Sequence, residues 1–174
     1  MADNRHTLSV LVENKPGVLS RVAALFTRRG FNIRSLAVGE TEHPEVSRIT
    51  VCVHAEPLPF EQVTKQLNKL VNVLKVVDLD KEESVLRRLI LVKAKANAHT
   101  CSEIADIAAM FRANVVDVQP DSLVIQGVGA TKTLEALLDM LEPYGVSELV
   151  QSGVVAIGRG SRSITDQLKE NTRG

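Results

Sequence analysis

Aromatic side chains are scarce in this sequence. It has no Trp and one Tyr, and Phe, Trp and Tyr together make up 3% of its 174 residues. Base-stacking platforms are built from such side chains. Neither sign of charge is in excess: 21 Lys and Arg balance 21 Asp and Glu. Nucleic-acid binders usually carry a basic surplus to neutralise phosphates, so no nucleic-acid partner is expected. No apolar run approaches the roughly 18 residues of a membrane span, and the start, MADNRHTLSV, lacks a signal-peptide pattern. The expectation is a cytoplasmic chain without a membrane partner. The two cysteines, Cys52 and Cys101, make neither a disulfide framework nor a CxxC pair. The histidines His6, His43, His54 and His99 are not spaced with Cys, Asp or Glu as metal ligands are. They read as surface or loop residues, and no metal site is expected. What the chain does have is 44% hydrophobic residues, as ordinary globular proteins do. Its length suits one domain or two of about 80 residues each.

The hydrophobic pattern occurs twice. Residues 8–13 alternate as a strand does, and Asn14-Lys15-Pro16-Gly17 breaks them. From Val18 the period becomes helical, with Val18, Val22, Leu25 and Phe26 on one face. Gly30 is placed to end that helix as its C′ residue. A strand at 31–38, a hairpin loop at 39–45 and a strand at 46–54 follow. A helix is then expected from about Phe60 to Val71, with Pro57 and Pro59 as punctuation before it, and a strand at 73–79. The charged run 78–84 reads as a linker. The order then restarts: strand 85–96, helix 100–112, strands 114–118 and 122–128, helix 131–141, strand 146–150. Ala23-Ala24-Leu25-Phe26 is echoed by Ala108-Ala109-Met110-Phe111, read as the matching place in its helix. The expected class is α+β: two consecutive ferredoxin-like βαββαβ domains, antiparallel sheets with helices on one face. They would cover residues 1–80 and 81–160, with a polar tail at 161–174 that either lacks order or forms a short helix on a partner. The other face of each sheet would be bare and partly apolar, as at Leu11 and Cys52. Such faces bury themselves against neighbours, so an oligomer or a subunit is expected.

Catalytic chemistry is hard to find. Cys101 lies near a helix start, which can lower a thiol pKa, but has no partner motif. Ser9 and Ser20 lack a nucleophile-elbow context. Asp78, Asp80, Glu82 and Glu83 lack the ligand-and-glycine order of a calcium loop. Gly127-Val128-Gly129-Ala130-Thr131-Lys132-Thr133 suggests a phosphate loop, which needs Gly directly before the Lys. Thr131 stands there instead, so the segment reads as a βα turn capped by Thr131. No catalytic residue is assigned.

The most informative segment is Glu13 to Leu19, between the first strand and first helix. Free N–H groups at a helix start, with the helix dipole, attract a carboxylate. Gly17 allows close approach to the backbone, Pro16 stiffens the turn, and the Asn14 amide can meet an amine or a carboxylate. The same residues also suit a plain Pro-Gly turn, and chemistry alone leaves both readings open.

The strand followed by E-N-x-P-G-V-L-x-R-V and R-G-F-N-I-x-S-L resembles an ACT domain, a module that senses small molecules, usually amino acids. The resemblance extends further. LSVLVENKPGVLSRVAALFTRRGFNIRSLAVGETE, then SRITV, KQLNKLVNVLKV, RRLILVKA and SGVVAIGRG, is similar to the regulatory (small) subunits of acetolactate synthase, also called acetohydroxyacid synthase, from about Thr7 to Gly160. The resemblance implies an N-terminal ACT domain, a second ferredoxin-like domain, and no cofactor in this chain. It implies a large catalytic subunit as partner, carrying thiamine diphosphate, FAD and magnesium. That enzyme condenses two pyruvates, or pyruvate with 2-oxobutyrate, at the start of branched-chain amino-acid synthesis. The small subunit would activate it and transmit feedback inhibition, usually by valine, bound at an ACT homodimer interface. Carried over, the effector residues are Asn14, Lys15, Pro16, Gly17, Val18 and Leu19, with Asn32 and Ile33 from the other protomer. The alternative is a free-standing ACT-type sensor for another enzyme or a repressor.

Overall fold

The computed structural model describes residues 4–55, 57–166 and 168. Its elements are β1 (Arg5–Glu13), α1 (Val18–Arg28), β2 (Ile33–Glu40), β3 (Val46–His54), α2 (Pro57–Leu67) and β4 (Val73–Asp78), then β5 (Ser84–Lys95), α3 (Cys101–Met110), β6 (Asn114–Gln119), β7 (Ser122–Gly129), α4 (Thr131–Leu141), a 3₁₀ turn at Glu142–Tyr144, β8 (Val146–Gln151) and β9 (Val155–Gly158). The first sheet runs β2-β3-β1-β4 and the second repeats it as β6-β7-β5-β8. The pairings along both paths are antiparallel. This is the doubled βαββαβ arrangement that the alternation of strand and helix periods implies.

Each sheet buries one face under its helices. Leu8, Val10, Ile49 and Val51 meet Val22, Phe26, Val63 and Leu67 in the first core. Ile90, Val92 and Ile125 meet Ile104, Leu134 and Leu137 in the second. Each such side chain, fully buried, contributes about 1.5–3 kcal/mol of transfer free energy.

Both α1 and α3 end in the same way. The N–H of Gly30 donates to the Thr27 carbonyl and that of Phe31 to the Phe26 carbonyl, both at 3.0 Å. At the end of α3 the N–H of Arg112 donates to Ala109 at 3.0 Å and that of Ala113 to Ala108 at 2.9 Å. These paired bonds close a Schellman turn around a left-handed residue, Gly30 (φ 75) in one case and Arg112 (φ 54) in the other. The caps correct the expected alignment of the repeats. Phe26 and Ala108 are equivalent, so the Ala-Ala-x-Phe echo is three residues out of register. Phe31 is spent in the cap, and β2 therefore begins at Ile33 rather than at 31. The helix expected from Phe60 begins earlier, at Pro57. A proline in the first turn lacks only an N–H that no helical carbonyl would accept. The Ala130 backbone is extended and α4 starts at Thr131 without a side-chain cap bond, so Thr131 is the first helical residue and not the cap.

The second face of the first sheet is not bare. Pairing places Thr7, Ser9 and Leu11 of β1 on this face with Cys52 and Thr50 of β3 and Ser35 of β2. Leu11 and Ser9 are fully buried, and Thr7, Thr50 and Ser35 are buried as well. Arg48 Nε donates to Ser9 Oγ at 2.6 Å, and the Val154 N–H donates to Ser35 Oγ at 2.6 Å. Thr165 is buried and its hydroxyl donates to the Glu42 carboxylate. The described residues from Val154 onward accordingly cluster with those up to Val85, while Leu86–Gly153 form a second unit. This division differs from boundaries at residues 80 and 160, and β9 has no counterpart in the reading of the sequence. Of the tail, residue 167 and residues 169–174 lie outside the described residues. The open face of the second sheet does expose apolar groups, with Leu89 opposite Val128 and Leu91 opposite Val150.

Candidate effector site

The turn between β1 and α1 is shaped by one glycine. Gly17 is the N-cap of α1 at φ 85, with no side-chain cap bond and no acidic residue in the first turn. A left-handed residue is strained for anything with a Cβ. No atom lies within 4 Å of where that Cβ would sit, so conformation rather than crowding sets the residue type. The first helical bond runs from the Arg21 N–H to the Gly17 carbonyl at 3.2 Å. The N–H groups of Leu19 and Ser20 precede it and have no helical carbonyl to meet. With the helix dipole they form a positive end.

Asn14 is fixed by the β2–β3 hairpin. Its N–H donates to the Glu45 carbonyl at 2.8 Å. Its side-chain Nδ2 donates to the Pro44 carbonyl at 2.9 Å and to Glu40 Oε1 at 3.2 Å, so the amide oxygen is the end left to accept. Lys15 pairs with Glu13 at 3.1 Å. Glu13 is held below the ordinary carboxylate range by the Asn72 amide first and by Lys15 second. Pro16 and Leu19 are exposed, whereas Val18 is buried in the first core. Ile33 packs against that core and Asn32 is exposed.

Within one chain these residues fall into two groups. Asn14 to Leu19 cluster at the end of the sheet where Glu13 faces Val46. Asn32 and Ile33 lie at the other end, where Ile33 faces Val53 and Val53 faces His6. The 11 residues of α1 separate them, about 16 Å at 1.5 Å per residue. A hollow of about 200 Å³ opens beside the first group, lined by Val18, Arg21 and residues 69–73. Glu40, the Pro44 carbonyl, Arg21 and Asn72 also shape the turn; Arg21 stands in the motif as its arginine, but none of the four is among the expected effector residues.

The second unit offers an internal comparison. There the turn after β5 closes on itself. Asn97 Oδ1 accepts the N–H groups of His99 at 2.8 Å and Thr100 at 3.0 Å, and Thr100 Oγ1 accepts that of Asn97 at 3.0 Å. The helix that follows is as open as α1, since the N–H groups of Ser102 and Glu103 precede its bond from Ile104 to Thr100, but α3 carries the acidic Glu103 in its first turn where α1 carries no acidic residue. Among the described residues no three His, Cys, Asp or Glu are grouped to hold a metal. No described helix is long and apolar enough to cross a membrane.

Two family models cover the two halves in order. Residues 8–75 match the ACT domain of acetohydroxyacid synthase small subunits, and residues 87–160 match the small subunit of acetolactate synthase. The chain belongs to the acetolactate synthase small-subunit family. The small subunit of Mycobacterium bovis is 57% identical over 164 residues, covering 94% of this chain and 98% of that one. The probable small subunit of Methanothermobacter thermautotrophicus is 45% identical over 165 residues, with the same coverage. The crystal structure of the Thermotoga maritima small subunit superposes with a TM-score of 0.83 at 39% identity, covering 91% of this chain and 99% of that one. Both domains of this family are therefore present, in a single chain and in the family's order.

Proposed function

We propose that this small subunit binds valine, or a closely related amino acid, between two copies of its ACT domain. Through that site it passes feedback inhibition to a large catalytic acetolactate synthase subunit, which it also activates. The observation that carries the reading is the N-terminus of α1 behind Gly17, which has no side-chain cap bond and no acidic residue in its first turn, whereas α3 of the second unit carries Glu103 there. The N–H groups of the first turn take the effector carboxylate, and the Asn14 amide oxygen takes its ammonium. Leu19 supplies exposed apolar surface for a branched side chain. Asn32 and Ile33 lie too far along the sheet to reach the same ligand within one chain, so a second copy contributes them and the site is a property of a homodimer. Val18 acts from beneath, as core.

The reaction belongs to the partner, which we propose carries thiamine diphosphate, FAD and magnesium, in the cytoplasm. It joins two pyruvates, or pyruvate with 2-oxobutyrate. This chain biases that partner only through differential affinity. A ligand that bridges two protomers favours one dimer arrangement, and it shifts the partner by no more than its preference for that arrangement.

The test is calorimetric titration of the purified chain with valine, against leucine, isoleucine and alanine, alone and with the large subunit. Saturable valine binding at one site, or one half, per chain supports the reading. Absence of binding in both preparations refutes the sensing role. Failure to bind or activate a large acetolactate synthase subunit points instead to a free-standing sensor.

A further inference from the structure

The geometry points to Asn72 as the residue that positions the effector turn, an inference that rests on the reading above. Asn72 lies in the turn between α2 and β4 and uses its whole amide. Its Nδ2 donates to Glu13 Oε2 at 2.7 Å, and its Oδ1 accepts from Arg21 Nη1 at 2.7 Å. Its backbone carbonyl accepts the Glu13 N–H at 2.9 Å. Glu13 is the last residue of β1 and Arg21 is the fourth of α1. One side chain therefore ties together the two ends of the turn that carries Asn14, Lys15, Pro16 and Gly17. Where the helix start sits relative to β1 decides where its open N–H groups point.

A β-bulge brings Asn72 to this place. Leu11 pairs with Lys75 but Val12 pairs with Val73, so Leu74 is skipped. Without that shift Glu13 would face Val73. Bulges of this kind re-aim side chains beside functional sites. The second unit has the same bulge, since Lys93 pairs with Glu148 and Ala94 with Val146. It also has the same backbone bond, from the Lys95 N–H to the Gly145 carbonyl at 2.8 Å. Gly145, with no side chain, stands where Asn72 stands, and Ala96 stands where Asn14 does. The fold needs the bulge and the backbone bond in both units, but of the two only the unit with the Gly17 turn adds the amide bridge. The lowered pKa of Glu13, with the Asn72 amide as its first cause, agrees with a tight contact.

The test swaps the polarity of the bridge in the full-length chain. Asn72→Asp sets a carboxylate against Glu13 and breaks the tie. Glu13→Gln alone keeps an oxygen for Asn72 to donate to. In the double variant the new amide at position 13 donates to the new carboxylate at position 72, which still accepts from Arg21. In valine titrations, Asn72→Asp should weaken binding by about tenfold, the worth of one charge-assisted hydrogen bond. Glu13→Gln and the double variant should stay within about twofold of the parent chain. Amide hydrogen exchange supplies a reading that needs no ligand. Exchange at position 13 and in the first turn of α1 should speed up in Asn72→Asp and slow again in the double variant, while Val10 and Ile49 in the core stay protected. Unchanged binding and exchange in Asn72→Asp would overturn the assignment, as would a double variant no better than Asn72→Asp. If the parent chain binds no amino acid, the sensing role fails, and the exchange pattern alone then decides for or against the bridge.

Discussion

Replacing Gly17 separates two properties of the effector turn: its backbone conformation and the charge it can accept. Gly17→Ala adds a Cβ into open space but at φ 85. The left-handed conformation costs about 1–2 kcal/mol for a residue with a Cβ. For a chain of this size each kcal/mol lowers the unfolding midpoint by about 2–4 °C, so a fall of about 2–8 °C is expected. The N–H groups of Leu19 and Ser20 remain, so valine affinity should change little. Gly17→Asp carries the same strain, partly offset by about 0.3–1 kcal/mol for an anion at a helix N-terminus. Its melting point should therefore lie at or above that of Gly17→Ala. Its carboxylate, however, faces the carboxylate of the effector. Two such charges about 4 Å apart repel by about 1 kcal/mol in bulk water and about 4 kcal/mol at a protein surface. That range weakens binding from about fivefold to about a thousandfold. Calorimetry with valine and inhibition of the reconstituted enzyme read the affinity, and thermal unfolding reads the strain. If Gly17→Asp binds valine as well as Gly17→Ala does, the carboxylate is not held at this helix start. If Gly17→Ala loses binding with no greater thermal shift than this, the argument from charge fails.

Other expectations follow from the packing and the caps. Leu11→Ala removes a fully buried side chain and should cost about 2–5 kcal/mol, read by urea unfolding, whereas a bare sheet face would give almost no effect. Arg112→Gly relieves a left-handed Arg at the end of α3 at the expense of a more flexible unfolded chain. A net gain of about 0.5–1 kcal/mol in thermal unfolding is expected. Glu42 is held below the ordinary carboxylate range, chiefly by the Thr165 hydroxyl. A depressed carboxyl stabilises above its unfolded pKa and loses that contribution as pH falls through its folded one. Thr165→Val should thus bring the Glu42 carboxyl up towards its ordinary range in a carbon-detected NMR titration, and it should flatten the acid limb of stability.

Much of this was legible in the sequence because period and punctuation agree there. Val46–His54 alternates, and Ile49, Val51 and Val53 are all buried where alternation puts them. The Gly30 cap is local chemistry and shows in the same way. Contacts distant in the chain do not show. That Ser35 is buried and partnered on the second face depends on a residue more than a hundred positions away in sequence, Val154. Alternation marks two faces of β1 but not what meets the second. The Ala-Ala-x-Phe echo misled because identity of letters outranked position relative to the cap. In the site, Gly17 and Asn14 stand in the motif, while Asn72 falls between the helix expected up to Val71 and the strand expected from Val73. Only the bulge at Leu74, which no local pattern announces, turns it toward Glu13.

The division of the chain has a consequence for its biogenesis. Leu86–Gly153 is contiguous, but the first unit is assembled from residues before 86 and after 153. Domains fold as units, generally from the N-terminus during synthesis. Here the earliest strands leave the ribosome long before Val154, which donates to Ser35, and Thr165, which donates to Glu42. The second unit can therefore complete itself while the first still waits. On the proposed function, sensing competence is then acquired last, after the rest of the chain has been made. A fragment cut at the limits of the matched ACT segment would stop permanently at that unfinished stage, with Ser35 and Glu42 deprived of their partners.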